Sequence, residues 1–448
     1  MTELMNPEVV LNTWKVTCPE FTRVPADDST ILAGFVETGE RLLAGLPAKQ
    51  ARSARELALA AEVFRISRVA RREYLSLHAA WLYDKLTDGM RVSKRISELA
   101  FDAADVCPGL VPTRNQIDEE RTVVQKWKEG REIDQGLLFH SWLGIPRVAL
   151  HLMHAMLMPT KRAIDLLARF EANGEIDMET LNLSRHQHAG FITFQNTACL
   201  NAEDDQLVED LETAVDLVLL SSSVSVGVMR GGTMTHPRYK GSRVFSAGIN
   251  LKHLNGGKIS FVEFLLRREF GFISKLLRGI RPMHAAASDN GPFLEWQKPW
   301  LAVVDTFAIG GGAQLLLAFD RVLAAEGSYV ALPAAQEGIV PGFSNLRLTR
   351  AVGARVARQI ILFGRKLWAG EEDAGFIIDE VVGVDRMEDT IARTIAELSA
   401  PAVVANRHML NLSEEPIETA IRYAADFALI QANRLYSEDV LNKTRFAI

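Results

Sequence analysis

An α/β core set between two helical regions is the fold class that this sequence of 448 residues predicts, and three observations carry the expectation. From Ser29 to Asn173 glycine is sparse and apolar residues recur three and four apart, the spacing of helices with one buried face. After "EANGEID" short apolar runs alternate with amphipathic stretches, the order of strand, helix and strand that builds a parallel sheet. From Met387 to Lys443 the helical spacing returns. The expected divisions are a helical region over 1–178, an α/β core over 179–386 and a helical region over 387–448.

Taken in order, "ARELALAAEVFRISRVARREYLSLHAAWLYDKL" predicts one long helix. "CPGLVPTRNQIDEER" interrupts the pattern, because Pro108 and Pro112 cannot continue a helix, and "TRNQ" offers caps for the next one. "HAGFITFQN" predicts a strand, "AEDDQLVEDLETAVDLVLLSS" an amphipathic helix and "SVSVGVMRG" a second strand. The alternation repeats as strand "PWLAVVDTFAI", helix "GGAQLLLAFDRVLAA" and strand "SYVALP".

With 48% hydrophobic residues the chain can bury a large core, and its net charge of -6 lacks the basic face that nucleic acid requires. The start "MTELMNPEVVLNTWK" is polar and acidic where a secretory signal would be basic and then apolar, so a cytoplasmic protein is expected. The one run long enough to cross a bilayer, Trp300 to Phe319, is broken by Asp305, three glycines and Gln314, which fits a strand, a turn and a helix. No membrane is therefore an expected partner. Cys18, Cys107 and Cys199 lie far apart with no CxxC spacing, the pattern of thiols in a reducing compartment.

Two loops stand out, "FSAGIN" (Phe245 to Asn250) and "AIGGGAQ" (Ala308 to Gln314), each entered from an apolar strand and left into a helix. Glycine permits a sharp turn and close approach to the backbone, while a helix start leaves N–H groups unpaired and slightly positive. Such loops can hold an anion or a developing oxyanion, although a glycine triplet by itself equally makes a tight connection. Neither a GxGxxG turn nor a Gly-Lys-Ser/Thr phosphate loop is present.

Across roughly residues 180 to 442 the chain resembles the crotonase (enoyl-CoA hydratase/isomerase) superfamily, on "FSAGINL", "KPWLAVVDTFAIGGGAQLLLAFDRVLAA" and "VPGFSNLRLTRAVG" in that order. The resemblance implies a crotonase-like ββα superhelix core, C-terminal oligomerisation helices and an assembly built from trimers. It also implies an oxyanion hole formed by the backbone N–H groups of Ile249 and Gly311. Preset donors of this kind are worth about 2.7–4 kcal/mol each, and they need no lysine or arginine on the turn.

The chain departs from the hydratases where they carry two water-handling glutamates, here Gln314 and Ala334, so water addition is disfavoured. With the long N-terminal helices and "FLLRREFGFISKLLRGI", this pattern resembles the arylacetyl-CoA dioxygenase branch found in glycopeptide-antibiotic biosynthesis, which acts on 3,5-dihydroxyphenylacetyl-CoA. That resemblance implies an enzyme with no cofactor and no metal whose partners are an acyl-CoA and O2. It implies ring binding by Glu203, Arg268 and Gln314, and an oxygen pocket walled by Ile249, Leu251, Ala334, Ile339 and Val440.

Residue patterns leave several assignments open. Arg267 and Arg268 sit on a charged helix where Glu263 or Glu269 could pair with either, and adjacent positions let only one face a ligand; the resemblance favours Arg268. Glu203, Asp204 and Asp205 equally suit a helix first turn, whereas Gln314 on an apolar helix needs a partner. Lys252 opens the helix after the first loop and is a candidate CoA contact, and Arg238, Lys240 and Arg243 could touch CoA phosphates or form a solvated loop. His151, His154, His186 and His188 lack an accompanying carboxylate in metal-ligand spacing. Two other functions remain: an acyl-CoA isomerase or hydrolase with Glu203 or Glu337 as base, and a non-catalytic acyl-CoA-binding scaffold.

Overall fold

The computed structural model describes residues 7–281 and 296–443. The N-terminal helices form where the spacing predicts them. The long helix spans Ala54–Leu86, opened by a capping box in which Ser53 and Glu56 satisfy each other's backbone N–H groups. Thr113 and Gln116 form the same device at the Arg114–Glu120 helix, just after the two prolines. Glu132–Leu143 and Pro146–Met156 follow, and Lys161–Asn173 ends at Gly174 in the left-handed conformation.

The strands are β1 (Glu175–Asp177), β2 (Leu181–His186), β3 (Ala189–Phe194), β4 (Val226–Gly231), β5 (Trp300–Val304), β6 (Phe307–Ile309), β7 (Arg321–Ala325), β8 (Tyr329–Ala331), β9 (Lys366–Trp368) and β10 (Glu380–Val382). They make a seven-stranded sheet in the order β1-β2-β3-β4-β5-β7-β10 and a three-stranded sheet in the order β6-β8-β9. The first three strands of the large sheet are antiparallel and its remaining pairings are parallel, with the Asp205–Leu220 helix crossing between β3 and β4. This is the crotonase fold, an α/β core with added helices at both ends.

Three elements differ from expectation. "PWLAVVDTFAI" is not one strand but two, β5 and β6, which turn at Asp305 and Thr306 into different sheets. The helix after the glycine triplet covers only Gly311–Leu316, and "RVLAA" is β7, buried between β5 and β10. An unbroken apolar run does not distinguish a helix from a strand covered on both faces. The Asp205–Leu220 helix is not simply amphipathic: Asp210, Glu212 and Asp216 are fully buried. Arg162 meets Asp210, Arg95 and Arg267 meet Glu212, and Lys275 lies 2.9 Å from Glu212 and 2.8 Å from Asp216. Such charges enter a core only with their counterions.

One continuous apolar core runs from Trp14 through Tyr74, Trp142, Phe194 and Phe272 to Phe427, joining the first helices to the last. No helix among the described residues is long and apolar enough to cross a membrane.

Candidate active site

The two glycine loops are fastened together. Ser246 and Ala308 form a parallel bridge, and the Ile309 N–H donates to the Ser246 carbonyl at 2.9 Å. Gly248 has φ of +85°, and a Cβ there would lie 3.1 Å from the Ile309 carbonyl, so both the turn and the close approach require glycine. Glu203 pairs with the backbone on either side of Ile249: its N–H donates to Gly248, and its carbonyl accepts from Asn250, each at 2.7 Å. The Ile249 N–H faces away from Glu203 and has no acceptor among the described residues. Gly311, first in its helix, likewise has an N–H without one.

Ile249 and Gly311 line one cavity with Glu203, Leu251, Arg268, Gln314, Ala334 and Ile339, eight of the ten residues assigned above to the oxyanion, ring, CoA and oxygen sites, and Glu337, the alternative base, lines it too. Val440 stands outside the lining, fully buried behind Gly338, where an added Cβ would meet its side chain at 2.8 Å. Lys252 is exposed on the Leu251–Asn255 helix beside the first loop.

Arg268 organises the polar end. Its Nε donates to Glu203 Oε2 at 2.6 Å, its Nη1 to Gln314 Oε1 at 2.9 Å and Glu269 Oε1 at 3.1 Å, and its Nη2 to the Gly311 carbonyl at 2.7 Å. Burial pushes the guanidinium pKa down, but Glu203 and Glu269 override it and hold it above its ordinary value. Arg267 points the other way, onto Glu212 and Glu263. The Gln314 amide nitrogen has no protein acceptor among the described residues, which leaves it available to a ligand. Gly311 is sterically required here, since a Cβ would lie 2.2 Å from Glu203 Oε1.

Several lining residues escaped the sequence. Glu269 continues the ion chain inward: Arg347 contacts it at 3.4 Å, and Glu415 takes Arg347 at 2.7 Å and Arg278 at 2.6 Å. Burial raises the Glu415 carboxyl, but the two arginines prevail and hold it at about 2. Phe264 and Leu265 precede Arg268 by four and three residues, so their shared face was readable from helical spacing. Phe427, from the Ile417–Arg434 helix, carries no local signal. Ala334 opens the Ala334–Glu337 helix, and Leu332 and Val340 complete an apolar wall.

Elsewhere, His151 bonds the Tyr83 hydroxyl, and burial, helped by Arg281, lowers the pKa of His154 to about 4. No three metal-binding side chains gather among the described residues. Arg243 donates to the Gly231 carbonyl, and Arg238 lies over the Tyr239 ring.

A crotonase fold with two glycine loops, each carrying an N–H without an acceptor among the described residues, beside a cavity that is ionic at one end defines the class. The enoyl-CoA hydratase/isomerase family model matches residues 292–428. The chain is 48% identical to the (3,5-dihydroxyphenyl)acetyl-CoA 1,2-dioxygenase of Amycolatopsis orientalis, over 95% of this chain and 97% of that protein. It is 30% identical to a probable enoyl-CoA hydratase of Rhizobium meliloti (strain 1021), over 53% of this chain and 83% of that one. A solved enoyl-CoA hydratase of Mycobacterium avium subsp. paratuberculosis K-10 is 20% identical, with a TM-score of 0.49 over 60% of this chain and 99% of that chain. The chain belongs to the enoyl-CoA hydratase/isomerase family, the crotonase superfamily.

Proposed function

We propose that this protein is a dioxygenase that converts 3,5-dihydroxyphenylacetyl-CoA and O2 to 3,5-dihydroxyphenylglyoxylate and free CoA, without a metal or organic cofactor. The observation that carries the reading is the near full-length match to a protein named for that activity, which takes in the N-terminal helices as well as the core.

The pocket chemistry is compatible with it. The N–H groups of Ile249 and Gly311 would donate to the thioester oxygen as an enolate forms, with the aryl ring delocalising the same charge. Glu203, Arg268 and Gln314 would receive the ring hydroxyls. The carbanion passes an electron to O2 in the niche walled by Ile249, Leu251, Ala334 and Ile339, backed by Val440 behind Gly338. A peroxide formed at the α-carbon then attacks the thioester carbonyl and expels CoA. The cyclic peroxide so formed opens as the second α-proton leaves, the C–H electron pair making the keto C=O while the O–O bond breaks to give the carboxylate, so both atoms of O2 end in the arylglyoxylate. Lys252, exposed beside the first loop, would contact the CoA portion. Trimer-based assembly through the C-terminal helices belongs to the same reading.

The test is oxygen uptake by chelator-treated protein given 3,5-dihydroxyphenylacetyl-CoA, with free thiol followed in the same cuvette. Equal O2 loss and CoA release support the proposal. CoA release without O2 uptake makes the protein a hydrolase, and silence in both signals leaves a binding scaffold or another substrate.

A further inference from the structure

The groups assigned to the ring sit on two separate segments. Glu203 lies two residues before the Asp205–Leu220 helix, and Arg268 rides on the irregular helical stretch that Ser260 opens. Their 2.6 Å contact depends on the spacing between those segments. Ser260 bonds Asp205 twice, its N–H to Oδ1 at 3.1 Å and its hydroxyl to Oδ2 at 2.6 Å. Over that junction lies Arg121, at the end of the Arg114–Glu120 helix in the N-terminal region. Its Nη2 donates to Asp205 Oδ2 at 3.0 Å and to the Lys258 carbonyl at 3.1 Å, and its Nη1 donates to the Ser260 hydroxyl.

We propose that Arg121 is a positioning residue that sets the Glu203–Arg268 geometry from outside the cavity, and so tunes recognition of the substrate's hydroxylated ring. The proposal rests on the reading of that pair as the ring site. The guanidinium is planar and presents its donors in a fixed fork, so contacts to both segments lock their separation as well as attract them. A small displacement between two groups that must meet a ligand together costs disproportionately in binding. Glu132 reinforces the same end of the helix from the N-terminal region, its Oε1 accepting the Phe261 N–H at 2.8 Å. Arg121 touches neither the glycine loops nor the cavity lining, so its effect reaches the ring site and spares the rest of the acyl-CoA.

The experiment measures binding of 3,5-dihydroxyphenylacetyl-CoA and of phenylacetyl-CoA by calorimetry in oxygen-free buffer, for the full-length protein and Arg121→Ala. The expected result is an affinity for the dihydroxy thioester lowered about tenfold or more, with phenylacetyl-CoA binding essentially unchanged. Unaltered discrimination, or equal weakening of both ligands, overturns the proposal. Asp205→Asn, which keeps the shape at the junction but removes the charge facing Arg121, is judged by the same ratio and decides the matter if Arg121→Ala does not fold. Wild-type protein that fails to distinguish the two thioesters removes the ring-site reading itself, a different failure from that of Arg121.

Discussion

Arg268 and Glu203 meet at 2.6 Å inside the cavity, and the same guanidinium donates to the carbonyl of Gly311 at 2.7 Å. One side chain thus ties the carboxylate at the polar end to the loop that presents a backbone donor. Arg268→Lys keeps the charge but offers one ammonium where the planar group serves Glu203, Glu269, Gln314 and Gly311 together. The expected loss in kcat/KM for 3,5-dihydroxyphenylacetyl-CoA is about a hundredfold, read by oxygen uptake.

Gly311→Ala places a methyl group at the position 2.2 Å from Glu203 Oε1, a distance at which the backbone or the ion pair has to move. Since the same residue supplies a proposed oxyanion donor, kcat is expected to fall about 10²- to 10³-fold. Comparing kcat with the thioester dissociation constant separates a displaced donor from lost binding.

Ala334 is 3% exposed against the cavity, among Leu332, Ile339 and Val340, with Glu337 three residues further along its helix in the same lining. Ala334→Glu adds a carboxylate there and should abolish most O2 uptake while CoA-thioester binding survives. Unchanged oxygen turnover in that variant would count against the niche.

Glu120 makes stability depend on pH. Burial raises its carboxyl first and neighbouring Glu132 raises it further, to about 7 from an ordinary 4.5. The folded chain therefore binds more protons than the unfolded one between those values. The contribution to stability is fully present below about 4.5 and is lost as pH rises through about 7. Urea midpoints across that window should fall as pH rises, and Glu120→Gln should flatten the slope.

Much of the fold was legible because local signals agreed with the outcome: Ser53 and Thr113 start their helices, and the spacing in Ala54–Leu86 matches one buried face. The sequence could not separate "RVLAA" from the helix before it, since an apolar run buried on all sides has no period to read. Those expected residues that share the cavity were named from the two glycine loops and the family resemblance. The pairings were hidden by distance along the chain: Arg268 reaches 65 residues to Glu203, and Arg95 reaches 117 to Glu212. Without Arg95, an acidic residue such as Glu212 reads as solvent-facing, and Glu269 reads as a helix-surface partner rather than part of an interior ion chain.

The bridge between Ser246 and Ala308 also constrains how this site can diverge. Because the two loops share a rung of backbone pairing, a residue gained or lost in either one would drag both N–H groups off target at once. Loop length is therefore constrained by this pairing, and exchanging side chains is a change that leaves the frame in place. Exchanges at Gln314 or Ala334 would be of this kind: they would alter what the cavity offers a bound molecule and leave the spacing of its backbone intact.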